Sequence, residues 1–248
     1  MLCTMQNNIR KLANPFREGD WPHLGCPVCG EGGLAVDQFD WEHQTGQKDH
    51  DDNPVDLAGS FVLRLVCGRA LCASWVLLTG KYDDTEYWHD DSTNFLHVWP
   101  VLKVRTIFPP IPVLELTEDV PESVRVAVDR ASALVWLDPL AFVAALRSAV
   151  ERLMDEHGIP THSSDGNRNS LHKRLLAFTP LHPEAGTLLL AAKWVGNTSA
   201  HENTELTAAA ALDIAEMVEV ALGVLYAKDN SALLARANRI NTAKELVP

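Results

Sequence analysis

The 248-residue sequence contains no apolar run of the roughly 18 to 20 residues that a membrane-spanning helix requires. Residues 1–10 also lack the basic-then-apolar order of a secretory signal, so we expect a soluble, cytoplasmic protein without a membrane partner. Basic residues are scarce: 21 Lys and Arg stand against 33 Asp and Glu, a formal net charge of -12. Broad, sequence-blind nucleic-acid binding neutralises phosphates with Lys and Arg, so any such site here must be local.

Cysteine is also scarce, and the five present are too few for a disulfide scaffold in a chain of this length. Four of them form two pairs, in Cys26-Pro27-Val28-Cys29-Gly30 and in Cys67-Gly68-Arg69-Ala70-Leu71-Cys72. Zn²⁺ prefers four thiolates in closed structural sites, and Pro and Gly set the bend that lets two sulfurs converge. We therefore predict one structural zinc ion with the ligands Cys26, Cys29, Cys67 and Cys72.

Other interpretations of the cysteines stay open. Some of the four can be buried thiols without a metal, because free cysteine is among the most buried residue types. His23, His43 and His50 lie near the first pair in sequence and could replace a thiolate. Cys3 is interpreted as a bystander near the terminus.

Short β-strands are predicted around the cysteine pairs, because runs of Val, Leu and aromatic residues are bounded by turn residues. Gly80-Lys81-Tyr82 is expected to be a turn, and the acidic stretches 49–52 and 83–91 are expected to be solvated loops. A metal can replace much of the core that a small sheet lacks, so residues 1–107 are predicted to form a zinc-ribbon-like β module. The predicted strands are 34–36, 60–66, 73–79 and 95–100.

The second part of the chain is predicted to be all-α, which makes the fold class α+β. Phe108-Pro109-Pro110-Ile111-Pro112 cannot be a central strand or helix, so residues 108–120 are predicted to be a proline-rich linker. Residues 121–248 are predicted to form a helical bundle from apolar residues at helical spacing. The predicted helices are 123–135, 138–157, 169–178, 183–200, 205–226 and 231–243.

The fourth of these helices contains a polar motif within an apolar pattern. Asn197 and His201 are spaced four residues apart and share one helix face, with Lys193 one turn earlier. Histidine titrates near neutral pH, so this stripe resembles a functional site. The alternative is structural: the two polar side chains join helices or subunits.

The order of these features resembles the HEPN-like domain of unknown function 4145 family of prokaryotes. The resemblance rests on the cysteine-pair module, the proline-rich connector, a Val-Pro-Glu helix start, a helix with Arg147 and Glu151, and Gly196-Asn197-x-x-x-His201. It implies a helical bundle that often forms homodimers and brings two copies of an Arg-polar-x-x-x-His motif into one cleft. In active members of the wider superfamily this cleft cuts RNA without a metal, in phage defence or as a toxin.

Carried over to this chain, the resemblance places the polar position at Asn197, the histidine at His201 and the arginine at Gly196. Glycine has no side chain, so Lys193 or Arg147 must supply the cation that RNA cleavage needs. The implied catalytic residues are therefore His201, Asn197, Lys193 and Arg147. The alternative is a non-catalytic, zinc-containing helical module that dimerises and binds a protein, RNA or a nucleotide; in it, Arg147 simply pairs with Glu151.

Overall fold

The structure of the protein is a computed structural model, which describes residues 8–43, 50, 58–90, 95–201, 206–226 and 239. Within these ranges, the side chains of residues 43, 84–90, 95–100 and 194–201 are outside the description. The strands come first in the chain and the main helices follow, which confirms the α+β class.

Five antiparallel strands form one sheet, in the spatial order β1-β5-β4-β3-β2. The predicted strands are confirmed in place, but three of them are much longer than expected. Their bounds are Phe16–Arg17 for β1, Leu34–His43 for β2, Gly59–Cys67 for β3, Trp75–Asp90 for β4 and Phe95–Phe108 for β5.

Strand β3 shows how the sequence divides the two faces of the sheet. Phe61, Leu63 and Leu65 are buried, whereas Val62 and Arg64 between them are exposed. Successive side chains of a strand point to opposite faces, so this alternation turns the first three residues towards the core. We call the opposite side the outer face of the sheet.

Two predictions for this region were wrong. Gly80, Lys81 and Tyr82 do not form a turn but lie inside β4, where they pair with both β3 and β5. The acidic stretch that begins at Asp83 is not a loop either, because β4 continues to Asp90. Pairing with β5 supplies backbone partners along this stretch, apart from an irregularity between Asp83 and Glu86, and this pairing does not depend on the side chains. Of the other acidic stretch, 49–52, only His50 is described.

The helices follow the sequence prediction within a few residues. They are α1 (Glu122–Ser132), α2 (Pro139–Glu156), α3 (Leu171–Phe178), α4 (Pro183–His201) and α5 (Ala208–Leu225). Side-chain oxygens of Asp138, Ser170 and Thr207 accept hydrogen bonds from the first turns of α2, α3 and α5. None of the described helices has the length and apolarity to cross a bilayer. The predicted helix 231–243 lies outside the described residues, apart from residue 239.

The segment between the sheet and the helices is packed rather than extended in solvent. Ile111, Val113 and Leu114 are buried, and one hydrophobic core continues from the sheet through this segment into the helices. The N-terminal helical turn, residues 8–11, is fixed to α5, because Arg10 binds Asp213 and Glu216, each at 2.6 Å. The division of the chain into domains at residues 108–120 stays a prediction.

Glu219 gives this junction a pH-dependent stability. Its Oε1 accepts a hydrogen bond from the backbone N–H of Glu115 at 3.0 Å, while its buried Oε2 has no hydrogen-bond partner among the described residues. Burial raises the pKa of Glu219 to about 7. The fold therefore favours the protonated acid, and its contribution to stability falls as pH rises from the ordinary carboxyl pKa of about 4.3 through 7.

We expect Glu219→Gln to be more stable than the wild type at pH 8 by about 1 kcal/mol, after allowance for solvent screening. At pH 4 the two proteins should be nearly equal, because the wild-type acid is then protonated. Urea unfolding at both pH values measures the difference. An advantage of the same size at pH 4 and pH 8 would show that the charge of Glu219 is not the cause.

Candidate functional site

The four cysteines of the predicted metal site lie together. Their Sγ atoms are all within 4.8 Å of one another. The distance is 3.8 Å between the sulfurs of Cys26 and Cys72 and 3.7 Å between those of Cys29 and Cys67. Four thiolates about 2.3 Å from a tetrahedral metal ion are about 3.8 Å apart, so the cluster fits such an ion.

Two tight turns bring the sulfurs together. In the first, the N–H of Gly30 donates to the carbonyl of Cys26 at 2.9 Å, and Gly30 adopts φ +68°, which glycine does without strain. In the second, the N–H of Cys72 donates to the carbonyl of Arg69 at 2.9 Å. The turns are joined by a hydrogen bond of 2.9 Å from the N–H of Gly68 to the carbonyl of Gly33.

Backbone and hydroxyl groups around the cluster stabilise thiolates, the form that binds metals. Hydrogen bonds from the backbone of Glu31 and Gly32 lower the pKa of Cys29 to about 6. Hydrogen bonds from the side chain and backbone of Ser74 lower the pKa of Cys72. For Cys67, a backbone hydrogen bond from Arg69 lowers the pKa, but burial and the three neighbouring thiols outweigh it and raise the pKa to about 12. Four thiolates this close need a cation to be stable together.

The described part of the chain holds no other group of three or more potential ligands. His23 and His50 are exposed and do not belong to the cluster, and the side chain of His43 is outside the described residues. The chemistry of four sulfurs and the tetrahedral spacing are therefore compatible with one metal ion. The site is closed, since four protein ligands complete a tetrahedron and leave no open position for a substrate.

A second feature is a hollow of about 180 Å³ in the helical part, between α2, α3, α4 and α5. Two of its lining residues are the predicted cations, Arg147 of α2 and Lys193 of α4. The other lining residues are apolar and are Leu140, Val143, Ala144, Leu146, Val150, Leu171, Leu189, Ala192, Ile214 and Val218. We call this cavity the α2–α4 hollow.

The cations of the hollow have different surroundings. Arg147 Nε lies 3.4 Å from Glu151 Oε1, so the predicted i,i+4 pair forms, and Arg168 lies 3.8 Å from the other oxygen of Glu151. Lys193 is half-buried at the hollow. Beyond Lys193, the backbone of α4 continues to Asn197, one turn further on, and to His201, two turns further on. Both residues, and residue 196, belong to the part of α4 whose side chains are not described. Their roles stay predictions.

The sequence interpretation missed three residues that shape these sites. A Cβ at Gly32 would overlap Cys67 Sγ, so the turn after the first pair requires glycine; the Gly32-Gly33 doublet was the available signal. Ser74, whose hydrogen bonds lower the pKa of Cys72, was also missed. Arg174 is buried and donates to Asp155 at 2.5 Å and to the carbonyl of Ile159 at 2.8 Å, which fixes α3 against α2; nothing in the sequence distinguished it.

The helical part also matches a known family. It is similar to a domain of unknown function, DUF4145. The family model covers residues 129–243, which include every lining residue of the α2–α4 hollow and none of the four clustered cysteines. The DUF4145 part of the resemblance is thus supported, whereas its HEPN-like and zinc-ribbon parts stay predictions. Comparisons with curated proteins and with solved structures find no match to this chain.

Proposed function

We propose that this protein binds RNA in the α2–α4 hollow and carries a structural zinc ion in its β-sheet part. The observation that carries the first proposal is the convergence of Arg147 and Lys193 on one cavity. These residues are far apart in sequence and belong to different helices, yet they line the same opening. In a chain of net charge -12, such a pair is the kind of local cationic site that phosphate binding requires.

The lining of the hollow suits a nucleotide whose base contacts apolar side chains and whose phosphate contacts cations. Accessible apolar side chains such as Leu140 and Val143 can pack against a base, while the cations at Arg147 and Lys193 can contact the phosphate. The ion pair with Glu151 orients the guanidinium, and a phosphate can share the remaining N–H donors. We therefore propose a single-stranded or looped RNA segment as the ligand, because its bases are accessible.

The zinc proposal rests on the four converging sulfurs. Zn²⁺ binds four cysteine thiolates as a tetrahedron, and the stabilised thiolates of Cys29 and Cys72 lower the energetic cost of deprotonation. A four-thiolate site supplies structure rather than catalysis. Any reaction at the α2–α4 hollow must therefore use the helical residues.

The presence of His201 in α4 extends this proposal from RNA binding to RNA cleavage. A histidine can remove the proton from a 2'-hydroxyl or protonate the leaving oxygen, and a cation must stabilise the charge that develops on the phosphate. Lys193 and Arg147 are the cations that replace the arginine missing at Gly196. Asn197, one turn from Lys193, is proposed to orient the phosphate or the imidazole. A role in phage defence or as a toxin stays a prediction from the resemblance.

We expect the double change Arg147→Ala/Lys193→Ala to weaken RNA binding at least tenfold. Each lost phosphate contact should also lower the salt dependence of log K by about 0.7, so the slope should fall by about 1.4. The matched control is Arg152→Ala/Lys173→Ala, which removes the same charge from exposed positions on α2 and α3 that do not line the hollow. Fluorescence anisotropy with a labelled RNA measures both, and equal losses in the two proteins would contradict the proposal.

Cleavage is tested separately with end-labelled RNA and EDTA. We expect His201→Ala to lose cleavage while it keeps the RNA affinity of the wild type, because the hollow and its cations are unchanged. Absence of cleavage by the wild type, with binding retained, would leave a binding protein and remove the catalytic proposal. Equal cleavage by both proteins would indicate a contaminating nuclease.

A second candidate function follows from the apolar character of the hollow. Leu140 at its edge is 45% exposed, and such an apolar surface can be covered by a second copy of the chain in a homodimer. In this case Leu140→Glu should convert a dimer into a monomer without a change in zinc content. Light scattering at several protein concentrations distinguishes the two candidates, since RNA binding alone predicts no such change.

A further inference from the structure

The outer face of the sheet carries two exposed aromatic side chains near the end of β5. Trp75 of β4 is 49% exposed and Phe108 of β5 is 64% exposed, and their ring centroids lie 6.5 Å apart. Leu77, two residues from Trp75 and directly opposite Phe108, lies on the same face. Large apolar side chains of this kind are normally buried in a sheet, so this exposed group requires an explanation.

Two lysines lie on the same face, farther along the same two strands. Lys81 of β4 is directly opposite Lys103 of β5, and both are exposed. Thr79 and Thr106, whose hydroxyl oxygens are 2.6 Å apart, lie between the lysines and the aromatic pair. The outer face of β4 and β5 therefore runs from an aromatic end to a cationic end over six residues, or roughly 20 Å.

The lysine pair is unfavourable for the sheet itself. Like charges directly opposite on neighbouring strands destabilise the pairing, and neither lysine forms an ion pair with a described residue. Asp83 is exposed two residues beyond Lys81 and makes no ion pair with it in the part of the chain that the structure describes. No ion pair within the described part of the chain therefore accounts for these two neighbouring positive charges.

We propose that this outer face is a binding platform for single-stranded nucleic acid. Bases stack on exposed aromatic rings regardless of sequence, and lysines beside such rings neutralise the phosphates of the same strand. A length of about 20 Å accommodates about three nucleotides, with bases on Trp75 and Phe108 and the backbone continuing to Lys81 and Lys103. Double-stranded nucleic acid does not present its base faces, so the aromatic end selects single strands.

This platform is formed by other elements than the α2–α4 hollow and does not depend on the RNA proposal made for it. The charge pattern favours nucleic acid over a protein partner, because an apolar protein surface would have to bury two lysines that have no ion-pair partner among the described residues. Trp41 provides a matched aromatic control. It is 44% exposed and lies in register with Phe61, on the side of the sheet opposite to Trp75.

The test uses the full chain with its zinc and a labelled 15-nucleotide oligo(dT), whose affinity is measured by fluorescence anisotropy at 50 and 200 mM salt. We expect Trp75→Ala and Phe108→Ala each to weaken binding about tenfold, and Trp41→Ala to change it less than twofold. Lys81→Glu/Lys103→Glu should weaken binding at least tenfold and lower the salt slope, whereas Lys11→Glu, an exposed lysine on the N-terminal turn, should do neither. The lysine variants keep the test valid if an aromatic variant fails to fold.

Four results would overturn the proposal. One is the absence of oligo(dT) binding by the wild type at 50 mM salt. Another is an equal loss in the Trp41 and Lys11 variants, which would indicate a general effect of stability or charge. The third is self-association that Trp75→Ala and Phe108→Ala abolish, because the face would then be an interface between copies. Loss of binding in the Arg147/Lys193 variant alone would count against the platform and in favour of the hollow.

Discussion

A chain with Cys26→Ser and Cys29→Ser is expected to lose the proposed zinc ion and most of its stability. The wild type should contain about one zinc per chain, and the variant close to none, because a hydroxyl is a poor substitute for a thiolate ligand. A ligand present at a thousand times its Kd stabilises a fold by about 4 kcal/mol. We therefore expect the free energy of unfolding to fall by more than about 4 kcal/mol, measured by urea unfolding beside metal analysis.

The matched control is Cys3→Ser, which removes the one cysteine that belongs to neither sequence pair. It should keep the full zinc content and the unfolding free energy of the wild type. A double variant that retains one zinc, or that loses zinc with no loss of stability, would contradict a structural four-thiolate site. A chelator should reproduce the effect of the double change in the wild type and have no effect in the variant.

The second large effect is expected at Gly80 in β4. A Cβ there would overlap the backbone carbonyl oxygen of Lys103 and lie 2.8 Å from a ring carbon of Phe61. Backbone cannot move aside cheaply, and Gly80 lies at an irregularity in the pairing of β4 with β5. We expect Gly80→Ala to lower the free energy of unfolding by about 3 kcal/mol, at the upper end of the range for overpacking.

Gly223 in α5 provides the opposite control, because a Cβ at this position has no neighbouring atom within 4 Å. Alanine is a better helix former than glycine, so Gly223→Ala should raise the free energy of unfolding by about 0.5 to 1 kcal/mol. Denaturant unfolding of both variants gives the comparison. Equal and small effects would show that β4 and β5 do not approach each other as described.

The elements that the sequence predicted well are those whose signal is local. The helices begin at capping residues such as Asp138 and Ser170 and have apolar residues at helical spacing, so their bounds were correct within a few residues. The convergence of two sulfurs within each cysteine pair is also a local property, because one short turn positions both of them. The close approach of the two cysteine pairs to each other could be predicted only from the four ligands that such a metal site needs.

Strand length could not be read from the sequence in the same way. Gly80 indicates a turn when β4 is considered alone, but the glycine is needed for a close approach to β5. The acidic residues from Asp83 onwards suggest a loop, yet β4 continues because β5 supplies partners as far as Asp90. The turn and loop signals come from β4 itself, whereas the length of β4 is determined by its pairing with the neighbouring strand, β5.

The candidate site shows the same limit. Arg147 and Lys193 were both predicted as cations, but as alternatives, since their spacing in sequence does not indicate that α2 and α4 pack together. The pairing of Arg147 with Glu151 was foreseen because it is an i,i+4 contact within one helix. The apolar walls of the hollow come from four helices, and no sequence pattern marks them as a group.

Cross-linking of the wild type to an RNA that contains 4-thiouridine, followed by mass spectrometry of the linked peptides, tests the central claim of RNA binding at the α2–α4 hollow most directly. We predict cross-links within residues 139–156 and 183–201, and their loss in the Arg147→Ala/Lys193→Ala protein but not in Arg152→Ala/Lys173→Ala. Cross-links that are absent from both helices of the wild type, or that remain unchanged in the first variant, would contradict the claim.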